Sequence, residues 1–134
     1  MNVERIGKIV TAILCIYFVV SGFDALINID EKLERIGLIA NGVDGKIAFI
    51  LIYTSLMVGV ALAMMGQMIV FRSSTPPLIV ASAVLLSFIV FRIVGSVMFD
   101  SMTSTQLGYI VTEMVELIIV VSILWKNRNN PINY

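Results

Sequence analysis

Four runs of about twenty apolar residues take up nearly the whole chain. Ile6–Ile29, Lys46–Phe71, Pro77–Phe99 and Leu107–Trp125 each have the length that carries an α-helix across the ~30 Å hydrocarbon core of a bilayer. Hydrocarbon offers backbone N–H and C=O groups no partner, so such runs must satisfy their hydrogen bonds internally, as helices. Of 134 residues, 59% are hydrophobic and 13% charged, with mean hydropathy +1.01. A soluble domain of that size needs more polar surface. The expected fold is all-α: an integral membrane four-helix bundle forming one transmembrane domain over residues 1–134. The turns at Arg72–Pro77 and around Ser104-Thr105 are short, which makes successive spans antiparallel neighbours in an up-down-up-down order. Pro76 and Pro77 suit the opening of the third span, where the missing N–H costs nothing.

Composition removes several function classes. The formal net charge is zero, which gives no reason to expect a nucleic-acid partner; the expected partner is the lipid bilayer. There is no histidine and a single cysteine, Cys15, so His-ligated haem, a CxxC centre and the common transition-metal sites are not expected. Cys15 reads as a small packing residue. No cofactor fingerprint or metal motif occurs, and the eight methionines are scattered. Arg5 and Lys8 before the first run resemble a signal peptide, but the run is too long for a signal core, so the span is expected to be retained.

Between the first two spans, Asn28–Gly45 is the one sizeable segment outside the membrane. Asn28 or Asp30 can cap a short helix, Leu33, Ile36, Ile39 and Ala40 recur near helical spacing, and Asn41-Gly42 provides a stop. This predicts a short amphipathic surface helix, either a lid over a pocket or a connector on the headgroups. In the second span, Gly59, Ala63 and Gly66 permit close helix approach. They are expected to serve packing within the bundle, with a homodimer face as the other use. The tail Lys126–Tyr134 is polar. Arg5, Lys8, Arg72, Lys126 and Arg128 fall on one side, against Lys32, Arg35 and Lys46 diluted by four acids on the other. The excess predicts both termini in the cytoplasm.

Ionisable residues inside the spans carry the functional signal, because a charge at mid-bilayer costs about 2.5–3.5 kcal/mol on insertion scales and is kept where it has a partner or a use. Glu113 and Glu116, three apart, share a helix face in the fourth span. Arg92 lies in the third span and Asp24 in the first, where Tyr17, Ser21, Asp24 and Asn28 form a stripe. The helical rise places Asp24 about 7–8 Å, Glu113 about 9 Å, Arg92 about 10 Å and Glu116 about 13 Å below the outer ends of their spans. Ser96, Tyr53 and Tyr109 fall in the same slab. These ten residues predict a polar chamber in the outer half of the membrane. Three carboxylates facing one guanidinium cannot all be ionised and satisfied. One acid must be solvated, hold a cation or keep its proton.

Phe91-Arg92, Asp100-Ser101 at the outer end of span three, Tyr53-Thr54-Ser55, and Glu116 followed by Leu-Ile-Ile-Val-Val together resemble the DoxX-like four-helix membrane proteins, in particular their domain-of-unknown-function branch. In that pattern a Gly-Arg pair, an Asp-Gly and a Tyr-Gly-Gly stand at the corresponding places, so Phe91 and Ser101 depart from it. The resemblance implies a bacterial inner-membrane four-helix bundle and brings no activity with it. Three functions follow as expectations. The first is a pocket for a cation, a proton or a small amphiphilic ligand. The second is an accessory or stabilising subunit of a larger membrane complex. The last is an enzyme using a glutamate as acid or base, which lacks any nucleophile–base pair.

Overall fold

The computed structural model describes residues 2–100 and 102–129; Met1, Ser101 of the Asp100-Ser101 pair and residues 130–134 of the tail lie outside it. Five helices follow in order: α1 (Val3–Ile27), α2 (Ile29–Arg35), α3 (Gly42–Phe71), α4 (Thr75–Met98) and α5 (Ser104–Asn129). Among the described residues there is no strand. Four of the helices, all but α2, are long and apolar enough to cross a membrane. Each packs on its sequence neighbour and α5 returns to α1, closing an antiparallel four-helix ring. The core is narrow: Leu14, Cys15, Phe18, Ala61, Met64, Leu78, Ala81, Leu85 and Val120 are buried along the axis. Large apolar residues such as Ile13, Ile16, Val20, Leu62, Ile118 and Val121 point outward. That inside-out profile suits a surface solvated by lipid.

The four long helices overlie the apolar runs of the sequence, and the differences at their ends have local causes. α5 continues through Lys126, Asn127 and Arg128, so the polar tail begins as helix; basic side chains suit the last turn, where carbonyls are unpaired. α3 starts at Gly42, four residues before the apolar run, because Gly42-Val43-Asp44-Gly45 supplies a polar first turn. α2 ends earlier than its apolar spacing suggests. Gly37 adopts φ 72°, a left-handed stop that glycine accepts at little cost. Ile39 is then left 97% exposed in the link to α3. Asn28 occupies the N-cap position of α2 without a side-chain cap bond; its amide donates to Asp24 instead, at 3.0 Å.

Residues Ile50–Thr54 of α3 wind as one turn of π-helix. The wider turn brings two adjacent residues to bear on α1. The Tyr53 hydroxyl lies 3.3 Å from Ser21 Oγ, and Thr54 Oγ1 donates to the Gly22 carbonyl at 3.1 Å. Gly22 makes the approach possible, since a Cβ there would sit 3.1 Å from Val58 and 3.3 Å from the Thr54 carbonyl. Single π turns inside α-helices are frequent at functional sites, and this one aims Tyr53 at the cavity described below.

At the opposite end, a polar clasp ties three elements together. Glu4 of α1 is buried; its carboxylate accepts from Ser74 N–H at 2.7 Å and from Ser74 Oγ at 2.9 Å. Asn127 of α5 donates to Ser74 Oγ at 3.3 Å. Ser74 is the N-cap of α4 but makes no cap bond with its own side chain. Glu4 therefore caps α4 from another helix, placing an anion where the helix leaves unpaired N–H groups.

Candidate functional site

Between α1, α3, α4 and α5, at the α2 end of the bundle, lies a polar cavity of ≈ 230 Å³. Tyr17 and Ser21 reach it from α1, Tyr53 from the π turn, Arg92 from α4, and Tyr109, Glu113 and Glu116 from α5. These are seven of the ten residues that the sequence singled out. Phe18, Met57, Leu85 and Phe88 form its apolar wall on the core side.

Arg92 and Glu113 form the central ion pair. Nε donates to both carboxylate oxygens, at 3.0 and 3.1 Å, and Nη2 lies 3.0 Å from Oε1. Nη1 donates to Gln106 Oε1 at 2.8 Å, and the guanidinium lies 4.8 Å from the centre of the Tyr109 ring. Arg92 is thereby held from three positions on one face of α5, residues 106, 109 and 113, spaced three and four apart. The role of Gln106 was not foreseen; its distance from Glu113, two turns along the same helix, was the available signal.

A second cation, Lys32 of α2, changes the charge balance expected from the sequence. α2 is packed on the bundle through Leu33, which is buried with Ala25 and Phe49. Lys32 is folded inward with only 10% of its side chain exposed, its Nζ 3.1 Å from Asp24 Oδ2 and 5.4 Å from the centre of the Tyr53 ring. Lys32 and Ile36 both line the cavity, so of the two uses expected for the surface helix, the lid is the one the packing supports. Asp24 itself does not line the cavity. It lies behind Lys32, shared with Arg35 at 3.5 Å and with Asn28, so Asp24 and Asn28 support the lid and do not touch the chamber. Ser96 also lies apart, in an open cleft with Phe91, Gly95 and Phe99 on the far side of Arg92.

The three carboxylates are thus unequal. Asp24 is paired with Lys32 and Arg35, and Glu113 with Arg92. Among the described residues, no hydrogen bond or ion pair reaches Glu116, one turn further along α5 and half-buried in the cavity wall. The surplus acid is one residue, and its surroundings supply hydroxyl donors and acceptors in Tyr17, Ser21 and Thr112. Among the described residues no group of three His, Cys, Asp or Glu assembles as a metal cage.

Lys32 gives the lid a simple test. Lys32→Met is expected to raise amide hydrogen exchange in α2 about tenfold while α1 is unchanged, because the helix loses its inward anchor but keeps Leu33. Unchanged exchange in α2 would show that Leu33 alone holds it.

Comparison with family models, with curated proteins and with solved structures gave no match to this chain.

Proposed function

We propose that this protein is a membrane-embedded binding protein for a small cationic ligand, with Glu116 as the counter-ion. The observation that carries the reading is the contrast within one cavity: of its two acids, Glu113 is paired with Arg92, and Glu116 has no cationic partner among the described residues. A carboxylate left without a partner at this depth costs several kcal/mol unless a ligand or a proton satisfies it. A single free carboxylate with hydroxyls beside it suits an organic ammonium group better than a metal ion, which would need about six oxygen donors. The π turn that aims Tyr53 into the cavity supports the same reading.

The test compares the two glutamates. Glu116→Gln is expected to weaken binding of a propylammonium probe, measured by calorimetry on protein in phosphatidylcholine nanodiscs, and to leave thermal stability within about 1 kcal/mol of wild type, since no hydrogen bond or ion pair is lost among the described residues. A Glu116→Gln protein that binds the probe as well as wild type removes Glu116 from the site.

One observation favours the second reading, an accessory subunit. A Cβ at Gly59 or Gly66 would meet nothing within 4 Å, and Ala63 is exposed. The small residues of α3 therefore do not serve packing inside this bundle, and they leave a face that another helix could approach. The distribution of Lys and Arg supports a cytoplasmic location for the termini, and the DoxX-like pattern supports a bacterial inner membrane.

A further inference from the structure

Glu116 belongs to two cavities. Besides the polar chamber it lines a groove of ≈ 190 Å³ between α1 and α5, whose other walls are Val10, Ile13, Leu14, Ile119 and Val120. Every one of those five is apolar, and all lie on the terminal side of Tyr17 and Glu116, toward the middle of the bilayer. Of the four seams between neighbouring helices, α1–α5 is the most lightly packed. At the aqueous end, by contrast, α2 lies across the chamber with Lys32 and Ile36 in its wall. The unpaired carboxylate thus stands where a roofed polar chamber meets a groove facing hydrocarbon.

We propose that the ligand is a single-chain amphiphilic amine that reaches the site sideways from the membrane. Its ammonium group pairs with Glu116 and its hydrocarbon chain runs along the α1–α5 groove. The inference rests on the ammonium reading above and adds to it the tail and the route. In a bilayer the tail gains little from burial, because lipid is as apolar as the groove. Its contribution is orientation: it holds the ammonium at the depth of Glu116. The ≈ 190 Å³ of the groove, along the seam of two helices, suits one hydrocarbon chain.

Titration calorimetry on protein in phosphatidylcholine nanodiscs, with protein-free discs subtracted, separates the parts using three probes: dodecylamine, propylamine and dodecanol. Ile13→Trp fills the groove with a bulky ring, and Ile119→Phe does so from the facing helix. Either is expected to weaken dodecylamine binding about tenfold, the size of effect seen when a group is forced into occupied space, with propylamine affinity changed less than about twofold. Glu116→Gln is expected to weaken both amines, and dodecanol is expected not to bind. A second apolar groove lies at the α3–α4 seam, lined by Leu56, Val60, Ala83 and Ser87. Ala83→Phe fills it and is expected to have no effect. Dodecylamine binding that survives both groove-filling variants, or that is lost in Ala83→Phe, overturns the tail assignment while leaving the ammonium reading intact. If dodecanol binds as tightly as dodecylamine, the charge pairing in the amphiphile proposal fails. If neither amine binds the wild-type protein, the ammonium reading and this inference fall together.

Discussion

Glu113→Leu is expected to lower the unfolding free energy by about 3 kcal/mol, measured by denaturation in mixed micelles. That figure is the lower end of the range for removing one partner of a buried ion pair. The lower end applies because 30% of the Arg92 side chain is exposed, against 12% for Glu113, so the orphaned guanidinium can recover some solvent. The loss arises from leaving a cation unpaired, not from losing a strong attraction, and a second variant separates the two. Arg92→Leu combined with Glu113→Leu removes both charges and is expected to return to within about 1 kcal/mol of wild type, as replacement of buried pairs by apolar residues often does. A double variant as unstable as the single one would mean that packing at these positions, not charge, sets their worth. The single variant carries a further consequence for the site. Arg92 without Glu113 is an uncompensated cation one turn from Glu116 along α5, and its charge opposes an ammonium ligand at the proposed counter-ion. Glu113→Leu is therefore expected to weaken amine binding as well as stability, whereas Glu116→Gln weakens binding alone.

How far the sequence foretold this arrangement depends on what kind of information each feature needed. The spans were legible because hydrocarbon permits only one way to satisfy a backbone. Depth along two helices put Arg92 level with the glutamates of the last span, without saying which of the two it holds. Lys32 was not legible. It lies outside the apolar runs, so the slab at the depth of Arg92, counted from the runs alone, holds three acids and one base. Its arrival in the chamber depends on α2 ending at Gly37 and being pinned by Leu33 between Ala25 and Phe49, contacts between residues far apart in sequence. The same holds for Ser96. One helix turn from Arg92 puts it on nearly the same face, yet Arg92 leans toward α5 and Ser96 is left in a separate cleft. Depth predicted which residues share a slab of the membrane; only side-chain direction decides which share a cavity. The π turn at Ile50–Thr54, within which Tyr53 and Thr54 both reach α1, carries no sequence signature at all.

The clasp at the terminal end has no sequence signature for a related reason: Glu4, Ser74 and Asn127 are ordinary helix-end residues until the fold brings them together. Its tightest point is Gly7. A Cβ built there would lie 2.3 Å from Ser74 Oγ, 2.7 Å from Ser74 Cβ and 3.3 Å from Ile123 Cγ2. Ser74 cannot turn away cheaply, being fully buried and held by both Glu4 and Asn127. Two effects of opposite sign meet in Gly7→Ala. Alanine is the better helix former by about 1 kcal/mol, and forcing a methyl group into filled space costs about 1–3 kcal/mol or more. With contacts below 3 Å to two atoms of a fixed side chain, the steric cost wins. Gly7→Ala is expected to destabilise the protein by about 2 kcal/mol net, and Gly7→Val by more because β-branching adds a second clash. Gly59→Ala is the internal control. It makes the same chemical change within a membrane-spanning helix, but at a position where the new methyl meets nothing within 4 Å. There the helix propensity acts alone, and the variant is expected to be as stable as wild type or up to about 1 kcal/mol more stable. If both substitutions shift stability in the same direction by the same amount, α1 does not approach the α3–α4 loop as closely as the clasp requires, and Glu4 loses its assignment as the cap of α4.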